Sequence, residues 1–354
     1  MVLDTASLRF ASEAEAARWS ELIANTPGGG EVWQTREYAA AKAFQGYRER
    51  LIVGDDGFPA TLVLVKRVPL LGELWYVPGG PAADGAERTI AQSARLAAFA
   101  HSQGAFMLKI EPRVLRTDES LAAFAQAGYR SNVRILPNES TVLLDVSGDE
   151  AEVMGRFSSS TRTKIRKADK TGFEARRVET TDENCRVMYA LLGETGDGRF
   201  ALRPYEYYRT FWQTFQEAGR GQLVIGYADG VAVAGMFGIV GGHTSCYKDG
   251  ASTRAGELPN GAMNRMQWEL ILWGREHGAT VHDLCGAPRS DQMDDKDHPL
   301  YGVGQYKLRF SKDVTDYVGV FDLPIRGFAT KVWETIGDRI ARRVSLAVKH
   351  DAYY

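Results

Sequence analysis

Residues 244–288 read TSCYKDGASTRAGELPNGAMNRMQWELILWGREHGATVHDLCGAP, and they predict one complete strand, turn, helix and strand. The first strand is short and stops at Gly250, where Asp-Gly and then Pro-Asn-Gly indicate a loop. Apolar residues then recur at helical spacing, with Asn260 as a candidate N-cap and Gly278 placed to end the helix. Residues 280–285 are partly β-branched and predict the second strand.

The same order of elements occurs earlier in the chain. A strand at residues 74–77, an alanine-rich helix at 86–101 and a strand at 106–110 repeat the plan. Residues 76–112 and 247–288 agree in spacing to within a few residues, which a duplicated domain would leave in the sequence. Chance recurrence is the alternative, because strand, helix, strand units are common in α/β proteins.

Length and composition indicate two globular domains. The chain has 354 residues, of which 44% are hydrophobic and 25% charged, so each half can bury a core of its own. A predicted strand at 141–146 ends the first domain, and Ser147-Gly148-Asp149 is the best boundary. Helices and a meander precede the first repeat unit, an order that favours a mixed acyltransferase-like sheet. The sequence contains neither a GxGxxG nor a GxxxxGK[ST] motif, so neither fingerprint supports a nucleotide-binding fold.

Composition also excludes several functional classes. The first ten residues have neither a basic region nor an apolar core, and no later stretch approaches the roughly 20 apolar residues of a membrane span, so we expect a cytoplasmic protein. Cys185, Cys246 and Cys285 lie far apart without CxxC or metal spacing, so we expect reduced structural thiols and no metal site. A net charge of −2 excludes a uniformly basic nucleic-acid binder but permits a local basic site.

One local basic site is evident. Residues 156–177 carry eight Lys or Arg against two acids. On a helix that starts near Ser159, Arg162, Arg166 and Lys170 would lie one turn apart, which is unfavourable unless an anion is nearby. A solvated helix face and a surface for a phosphate-rich partner such as RNA both remain possible.

Two further positions carry candidate ligand-binding side chains. Arg203 and Tyr207 are four residues apart at a helix start, so both can face one ligand, and a guanidinium suits phosphate. Lys307 follows Tyr306 in a predicted strand, where a merely solubilising charge is unexpected. The alternative for Lys307 is an edge-strand lysine that prevents aggregation.

The end of the chain predicts an amphipathic helix from Gly327 onward. We expect its apolar face to pack on the first domain, and contact with an anionic membrane surface is the alternative because basic residues flank that face. The apolar positions are Val332, Trp333, Ile336, Ile340 and Val344.

Taken in order, seven motifs resemble the Fem-type aminoacyltransferases that build peptidoglycan cross-bridges. The motifs are YVPGGP, KIEP, SSSTRTKIRKADKTGFE, FALRPYEYY, YKDGAS, MQWELILWGREHGATVHDLCGAP and HPLYGVGQYKLRF. The resemblance implies an α/β (α+β) protein with two tandem acyl-CoA N-acetyltransferase-like domains, each a mixed sheet flanked by helices. Residues 1–147 would form the first domain, completed by about 318–354, and residues 148–317 the second. No long helical hairpin is present, so we expect the compact form without a coiled-coil arm.

The resemblance implies a tRNA-dependent aminoacyltransferase in peptidoglycan biosynthesis. It would move an amino acid from aminoacyl-tRNA, as co-substrate and without a cofactor, to the stem-peptide side-chain amine of lipid II or UDP-MurNAc-pentapeptide. The expected protein is a monomer in the cytoplasm, with possible peripheral contact at the inner membrane surface.

By the same resemblance, Lys42 and Arg203 would hold precursor phosphates, with Tyr207 and Tyr247 completing that pocket. Lys307, beside Tyr306, would meet the aminoacyl ester and stabilise the oxyanion. Glu111 would either accept a proton from the attacking amine or, as we favour, order the site. The expected tRNA contacts are Arg162, Lys164, Arg166, Lys167 and Lys170.

Three other functions compete. An acetyl-coenzyme A N-acetyltransferase would use an R/Q-x-x-G-x-G/A loop at a helix N-terminus, a pattern that GELPNGAMN lacks. Transfer from aminoacyl-tRNA to a small natural-product amine would use the same fold for a reaction outside cell-wall synthesis. A non-catalytic RNA-binding module would leave Arg203, Tyr207 and Lys307 unexplained.

Overall fold

The computed structural model describes residues 8–137, 139–196, 202–256, 258–349 and 352–354. The chain divides into two compact units. The first unit is Met1–Glu139 with Asp316–Tyr354, and the second is Ser140–Thr315. Each unit contains one seven-stranded mixed sheet.

The first sheet has the strand order β1-β2-β3-β4-β5-β14-β6. Its strands are β1 (Leu8–Phe10), β2 (Arg48–Gly54), β3 (Thr61–Val68), β4 (Gly72–Pro78), β5 (Ala105–Glu111), β6 (Arg130–Asn132) and β14 (Val320–Pro324). The pair β4 and β5 is parallel, and α4 (Gly85–Ser102) connects the two. The remaining helices before residue 139 are α1 (Glu13–Ala17), α2 (Trp19–Ala24), α3 (Arg36–Ala43) and α5 (Asp118–Gln126).

The second sheet has the order β13-β7-β12-β11-β10-β9-β8. Its strands are β7 (Ser140–Asp145), β8 (Glu174–Val178), β9 (Gly221–Ala228), β10 (Val231–Gly241), β11 (Thr244–Ser252), β12 (Val281–Gly286) and β13 (Val314–Asp316). Here β11 and β12 are the parallel pair, connected by α10 (Ala262–Glu276). The other helices are α6 (Glu150–Arg156), α7 (Ser159–Ala168), α8 (Asp182–Gly196), α9 (Tyr205–Glu217) and α11 (Tyr301–Lys307).

The two sheets share one plan, which confirms the predicted α/β fold with two mixed sheets. In each sheet, antiparallel strands lead to the parallel pair, and an antiparallel strand then pairs with the second member, β14 with β5 and β7 with β12. The prediction that the strand at 141–146 ends the first domain is wrong. Val142 and Leu144 pack with Leu284 of β12 in the core of the second unit, and that burial decides where the strand lies.

The start of α10 also differs from the sequence-based expectation. Its N-cap is Gly261, at a φ of 93°, and not Asn260. A Cβ at Gly261 would lie 2.0 Å from the carbonyl oxygen of Lys164 on α7. Glycine is therefore required here both by the left-handed backbone and by the close approach of α7.

The C-terminal helical segment, residues 327–349, consists of α12 (Gly327–Val332), a π-helical stretch Trp333–Gly337, α13 (Asp338–Val344) and a second π-helical stretch Ser345–Lys349. Trp333 packs on the ring of Phe106 of the first unit, with 5.9 Å between centroids. The prediction of one packed face with Trp333, Ile336, Ile340 and Val344 is wrong, because the latter three are exposed. The π-helical stretch changes the number of residues per turn and so separates these side chains from Trp333. In the described part of the chain, no helix has the length and apolar character needed to cross a bilayer.

Candidate active site

Lys307, the side chain that the sequence marks most strongly, lies on α11, so its prediction as a strand residue is wrong. Gly304, Lys307 and Phe310 are all buried, and a spacing of three is helical rather than extended. Gly304 permits this packing, because a Cβ there would lie 2.8 Å from Cδ of Pro288.

The Lys307 ammonium is held by backbone carbonyl groups. Its Nζ donates to the carbonyl oxygens of Cys285 at 2.8 Å and Gly286 at 2.6 Å. Since these are its hydrogen-bond partners among the described residues, one of its three N–H groups remains for a ligand. The side chain is 3% exposed, and this burial lowers the pKa of Lys307 below the ordinary lysine value.

The end of β12 directs both carbonyl groups to the same ammonium. Cys285 has a φ of 57°, in the left-handed region that non-glycine residues rarely adopt. Asp283 fixes this turn, because its carboxylate accepts hydrogen bonds from the backbone N–H of Cys285, at 2.7 Å, and from the hydroxyl of Thr141. The strained backbone thus has a structural role in placing Lys307.

The parallel pairing of β11 and β12 brings together two cysteines that are 39 residues apart in sequence. The Sγ atoms of Cys246 and Cys285 lie 2.7 Å apart, and a carboxylate oxygen of Asp283 lies within 4.8 Å of both. Sequence spacing gave no sign of this group. The Sγ separation is shorter than the roughly 3.7 Å expected for two thiolates on one tetrahedral zinc ion with bonds of about 2.3 Å, so this arrangement does not fit zinc.

Two tyrosines accompany Lys307. The hydroxyl of Tyr306 donates to the carbonyl oxygen of Met263 at 3.0 Å, and burial raises its pKa well above the ordinary value. The Lys307 ammonium lies 5.9 Å from the ring centroid of Tyr247, whose own pKa is also raised by burial. Both hydroxyl groups therefore stay protonated and neutral, so neither tyrosine neutralises the positive charge of the ammonium.

A second group of the same unit forms a cation–aromatic row along α9. The guanidinium of Arg203 lies 4.6 Å from the ring centroid of Tyr207, and the ammonium of Lys248 lies 4.9 Å from that of Phe211. The rings of Tyr207 and Phe211 are 6.4 Å apart, one helical turn along α9. Arg203 and Tyr207 are thus brought together as the sequence predicts.

Lys248 is a member of this row that sequence analysis missed. In the pairing of β10 with β11, Gly238 lies opposite Tyr247 and Phe237 opposite Asp249, so Lys248 is an extra residue in a bulge. Lys248 pairs with Asp249 at 2.8 Å, and Asp249 also accepts from the indole of Trp212 on α9. The preceding residue, Tyr247, packs with the apolar cluster around α10, and this packing places its ring near Lys307.

The first unit holds the other two predicted site residues. The Lys42 ammonium, on α3, is buried and donates to the side-chain oxygen of Gln45 at 2.7 Å. The Glu111 carboxylate accepts from the hydroxyl of Tyr76 at 2.6 Å and from the backbone N–H of Leu136 at 3.0 Å. Burial raises the pKa of Glu111, while the donated hydrogen bonds oppose this shift. These fixed donors hold the Glu111 carboxylate in one orientation.

The basic segment predicted to contact tRNA divides into two groups. Arg166, Lys167 and Lys170 are exposed. Arg162 is half-buried and donates to the carbonyl oxygens of Gly155 and Phe157, so its charge is partly committed to the fold. α7 ends at Ala168, so the prediction that Lys170 continues the helical stack is wrong. Lys164 is half-buried beside the start of α10.

Comparison with known proteins adds to this geometry. Residues 16–229 match the FemAB family, and residues 155–307 match an acetyltransferase (GNAT) domain. A lipid II:glycine glycyltransferase from Staphylococcus epidermidis is 23% identical over a 374-residue alignment that covers 83% of this chain and 88% of the relative. The protein of the same description from Staphylococcus aureus is 22% identical over 398 aligned residues, covering 88% of this chain and 92% of the relative. The crystal structure of FemX superposes with a TM-score of 0.77 at 20% identity, covering 93% of this chain and 99% of FemX, so the two share a fold.

Proposed function

Because this chain belongs to the FemAB family and is a transferase, we propose that it forms an amide between an amino acid delivered by aminoacyl-tRNA and the stem-peptide side-chain amine of a peptidoglycan precursor. The buried ammonium of Lys307 is the observation that carries the proposal. The descriptions of the relatives, which name lipid II, support a lipid-linked precursor.

The proposed reaction is aminolysis of an ester. The acceptor amine attacks the ester carbonyl carbon, a C–N bond forms, and the carbonyl oxygen becomes an oxyanion. The intermediate collapses with cleavage of the bond to the tRNA ribose oxygen, which leaves with a proton that the amine has lost. Lys307 stabilises the oxyanion through the N–H group that the carbonyls of Cys285 and Gly286 leave available. Because those two bonds fix the ammonium beforehand, little reorganisation is needed when the charge develops.

The cation–aromatic row supports binding of the precursor phosphates. Arg203 and Lys248 place two positive charges along one row of rings, and Arg203 can donate two parallel hydrogen bonds to a phosphate. Lys248 also pairs with Asp249, and we assign Arg203 as the residue of the row that binds phosphate directly. Lys42 of the first unit remains a predicted phosphate ligand. We propose no cofactor beyond aminoacyl-tRNA as co-substrate.

The helix starts argue against acetyl-coenzyme A as the donor. A coenzyme pyrophosphate needs free backbone N–H groups at the N-terminus of the helix that follows the first strand of the parallel pair. In the second unit, the carbonyl oxygen of Lys164 approaches α10 at Gly261. In the first unit, the N-cap of α4 is Asp84, whose carboxylate would repel a pyrophosphate. Neither helix start favours this anion.

The exposed cations of the basic segment support a tRNA donor. Arg166, Lys167 and Lys170 are exposed, and none of them pairs with an acid among the residues that the structure describes, whereas Arg265 pairs with Asp169. Contacts of this kind attract a phosphate backbone without reading its sequence. The identity of the transferred amino acid then depends on the charged tRNA.

The proposal is tested by incubating the purified protein with aminoacyl-tRNA carrying a radiolabelled amino acid and with lipid II. We expect label in the precursor, and we expect none when the stem-peptide side-chain amine has been acetylated beforehand. Transfer to the blocked precursor, or no transfer from any of a full set of charged tRNAs, would contradict the proposed acceptor or the proposed donor.

A further inference from the structure

The C-terminal helical segment carries an unusual concentration of exposed apolar side chains. Of the thirteen large hydrophobic side chains that are exposed in the described part of the chain, six lie between residues 328 and 348. Isolated exposed apolar residues are normal on a protein surface, but a group of them marks an interaction site. These side chains are Phe328, Ile336, Ile340, Val344, Leu346 and Val348.

Four of the six recur every fourth residue. Ile336, Ile340, Val344 and Val348 are 55%, 54%, 53% and 71% exposed. Side chains four apart are neighbours on a helix surface, so they form one continuous stripe. The segment itself is anchored, because Trp333 is buried and the Thr330 hydroxyl donates to the carbonyl oxygen of Phe106 at 2.7 Å. The stripe is therefore presented to a partner by a fixed helix.

The charge of the segment identifies the chemistry of that partner. Residues 327–349 contain five basic and two acidic side chains. The two acids already pair within the first unit, Glu334 with Arg130 and Asp338 with Arg342. Arg339 and Arg343 are exposed on the same segment as the apolar stripe. A helix with an apolar face and basic side chains is the composition that lies in the surface of an anionic membrane.

A small cavity extends this surface. It has a volume of about 270 Å³, and Ala341, Val344 and Val348 form its apolar wall. Arg67, which is exposed, lines the other side. A cation next to aliphatic side chains suits the junction between an anionic lipid headgroup and its acyl chain.

We propose that residues 327–349 bind an anionic lipid surface, with the apolar stripe in the interface and Arg339 and Arg343 at the headgroups. A second copy of this chain is the other occupant to consider, but pairing two such segments would bring like charges together without acids to balance them. Membrane binding deepens the proposed function, because it would hold the protein where a lipid-linked acceptor lies. Membrane binding can be measured without catalysis, so the lipid-surface proposal and the proposed transfer reaction can be contradicted independently.

The test is co-sedimentation of the full chain with vesicles of phosphatidylcholine alone or of phosphatidylglycerol and phosphatidylcholine. Each basic side chain near such a surface is worth about 1 kcal/mol, so we expect Arg339→Ala with Arg343→Ala to weaken binding to the anionic vesicles roughly 30-fold. Ile340→Asp with Val344→Asp should abolish binding. Val231→Asp changes an isolated exposed valine of the second unit and serves as the matched control.

Circular dichroism and thermal unfolding first establish that each variant folds, as expected for substitutions at exposed positions. The proposal is overturned if the aspartate pair sediments like the wild type, or if neutral and anionic vesicles bind equally. It is also overturned if light scattering shows a dimer that the aspartate pair dissociates while no variant binds vesicles.

Discussion

Replacing Lys307 with methionine removes the charge but keeps a side chain of similar length. In the wild type the ammonium is fixed by two carbonyl oxygens at 2.8 and 2.6 Å, so in the proposed reaction it would meet the developing oxyanion with little reorganisation. Loss of one such oxyanion donor lowers kcat by about 10² to 10³, or roughly 3 to 4 kcal/mol. Precursor affinity should stay within a few fold, because the cation–aromatic row is unchanged.

The measurement is the initial rate of label transfer from aminoacyl-tRNA to lipid II at saturating substrate. Lys312→Met is the matched control, since Lys312 lies five residues further on and is exposed, and we expect it to turn over normally. In Lys307→Met, the two carbonyl groups lose their donor, and each loss destabilises the fold by about 1 to 3 kcal/mol. Thermal unfolding measures this loss of stability separately from the loss of activity. Normal turnover by a folded Lys307→Met protein would refute the assigned role.

The pH profile of the wild type gives an independent check on Lys307. Burial lowers its pKa, so the ammonium loses its proton at a lower pH than an ordinary lysine. We expect kcat to decline with rising pH below the usual lysine range, and the residual rate of Lys307→Met to lack this decline. An identical alkaline limb in both proteins would assign the titration to another group.

Three further predictions concern the precursor, the tRNA and the fold. Arg203→Ala should weaken precursor binding by about 1.5 to 3 kcal/mol in calorimetry, the usual worth of a charged hydrogen bond, and unchanged affinity would remove Arg203 from the phosphate site. Alanine at Arg166, Lys167 and Lys170 together should reduce the slope of log K for tRNA binding against log salt by about 2 to 3. As a control, alanine at three exposed basic residues of the first unit, Arg18, Arg88 and Arg134, should leave the slope unchanged. If the first triple variant has the same slope as the wild type, its basic residues form only a solvated face. Burial lowers the pKa of His282 to about 4. As the pH falls, this histidine therefore takes up a proton in the unfolded state before it does so in the folded state. The free energy of unfolding should drop by about 3 kcal/mol between pH 6.5 and 4, as measured by denaturant titration. His282→Gln should lose less stability over that interval, and an unchanged pH dependence would assign the loss to other groups.

The doubled fold could be predicted because its signals are local. The apolar spacing of α4 and α10 and the turn residues around them mark both parallel pairs, and the structure confirms the mixed sheets. The position of β7 could not be predicted in this way. Its sequence reads as a strand in either domain, and only burial of Val142 and Leu144 against β12 assigns it to the second sheet.

The candidate site was predictable only in part. Arg203 lies just before the N-cap of α9 and Tyr207 lies in its first turn, so their contact follows from local geometry. Lys248 depends on a bulge between β10 and β11, and the approach of Cys246 to Cys285 depends on the pairing of β11 with β12. Such pairings join distant parts of the chain, and residue spacing does not encode them. The sequence marks Lys307 as unusual but predicts a strand there, because α11 is only seven residues long and its helical burial pattern spans two turns.

A donor competition followed by mass spectrometry distinguishes aminoacyl-tRNA from acetyl-coenzyme A as the donor. The purified protein is offered lipid II together with a mixture of charged tRNAs and acetyl-coenzyme A, and the mass of the intact precursor is determined. We expect the precursor to gain the mass of one or more amino-acid residues, and we expect no gain when the tRNAs are digested with ribonuclease beforehand. A gain equal to an acetyl group that persists after digestion would contradict this expectation.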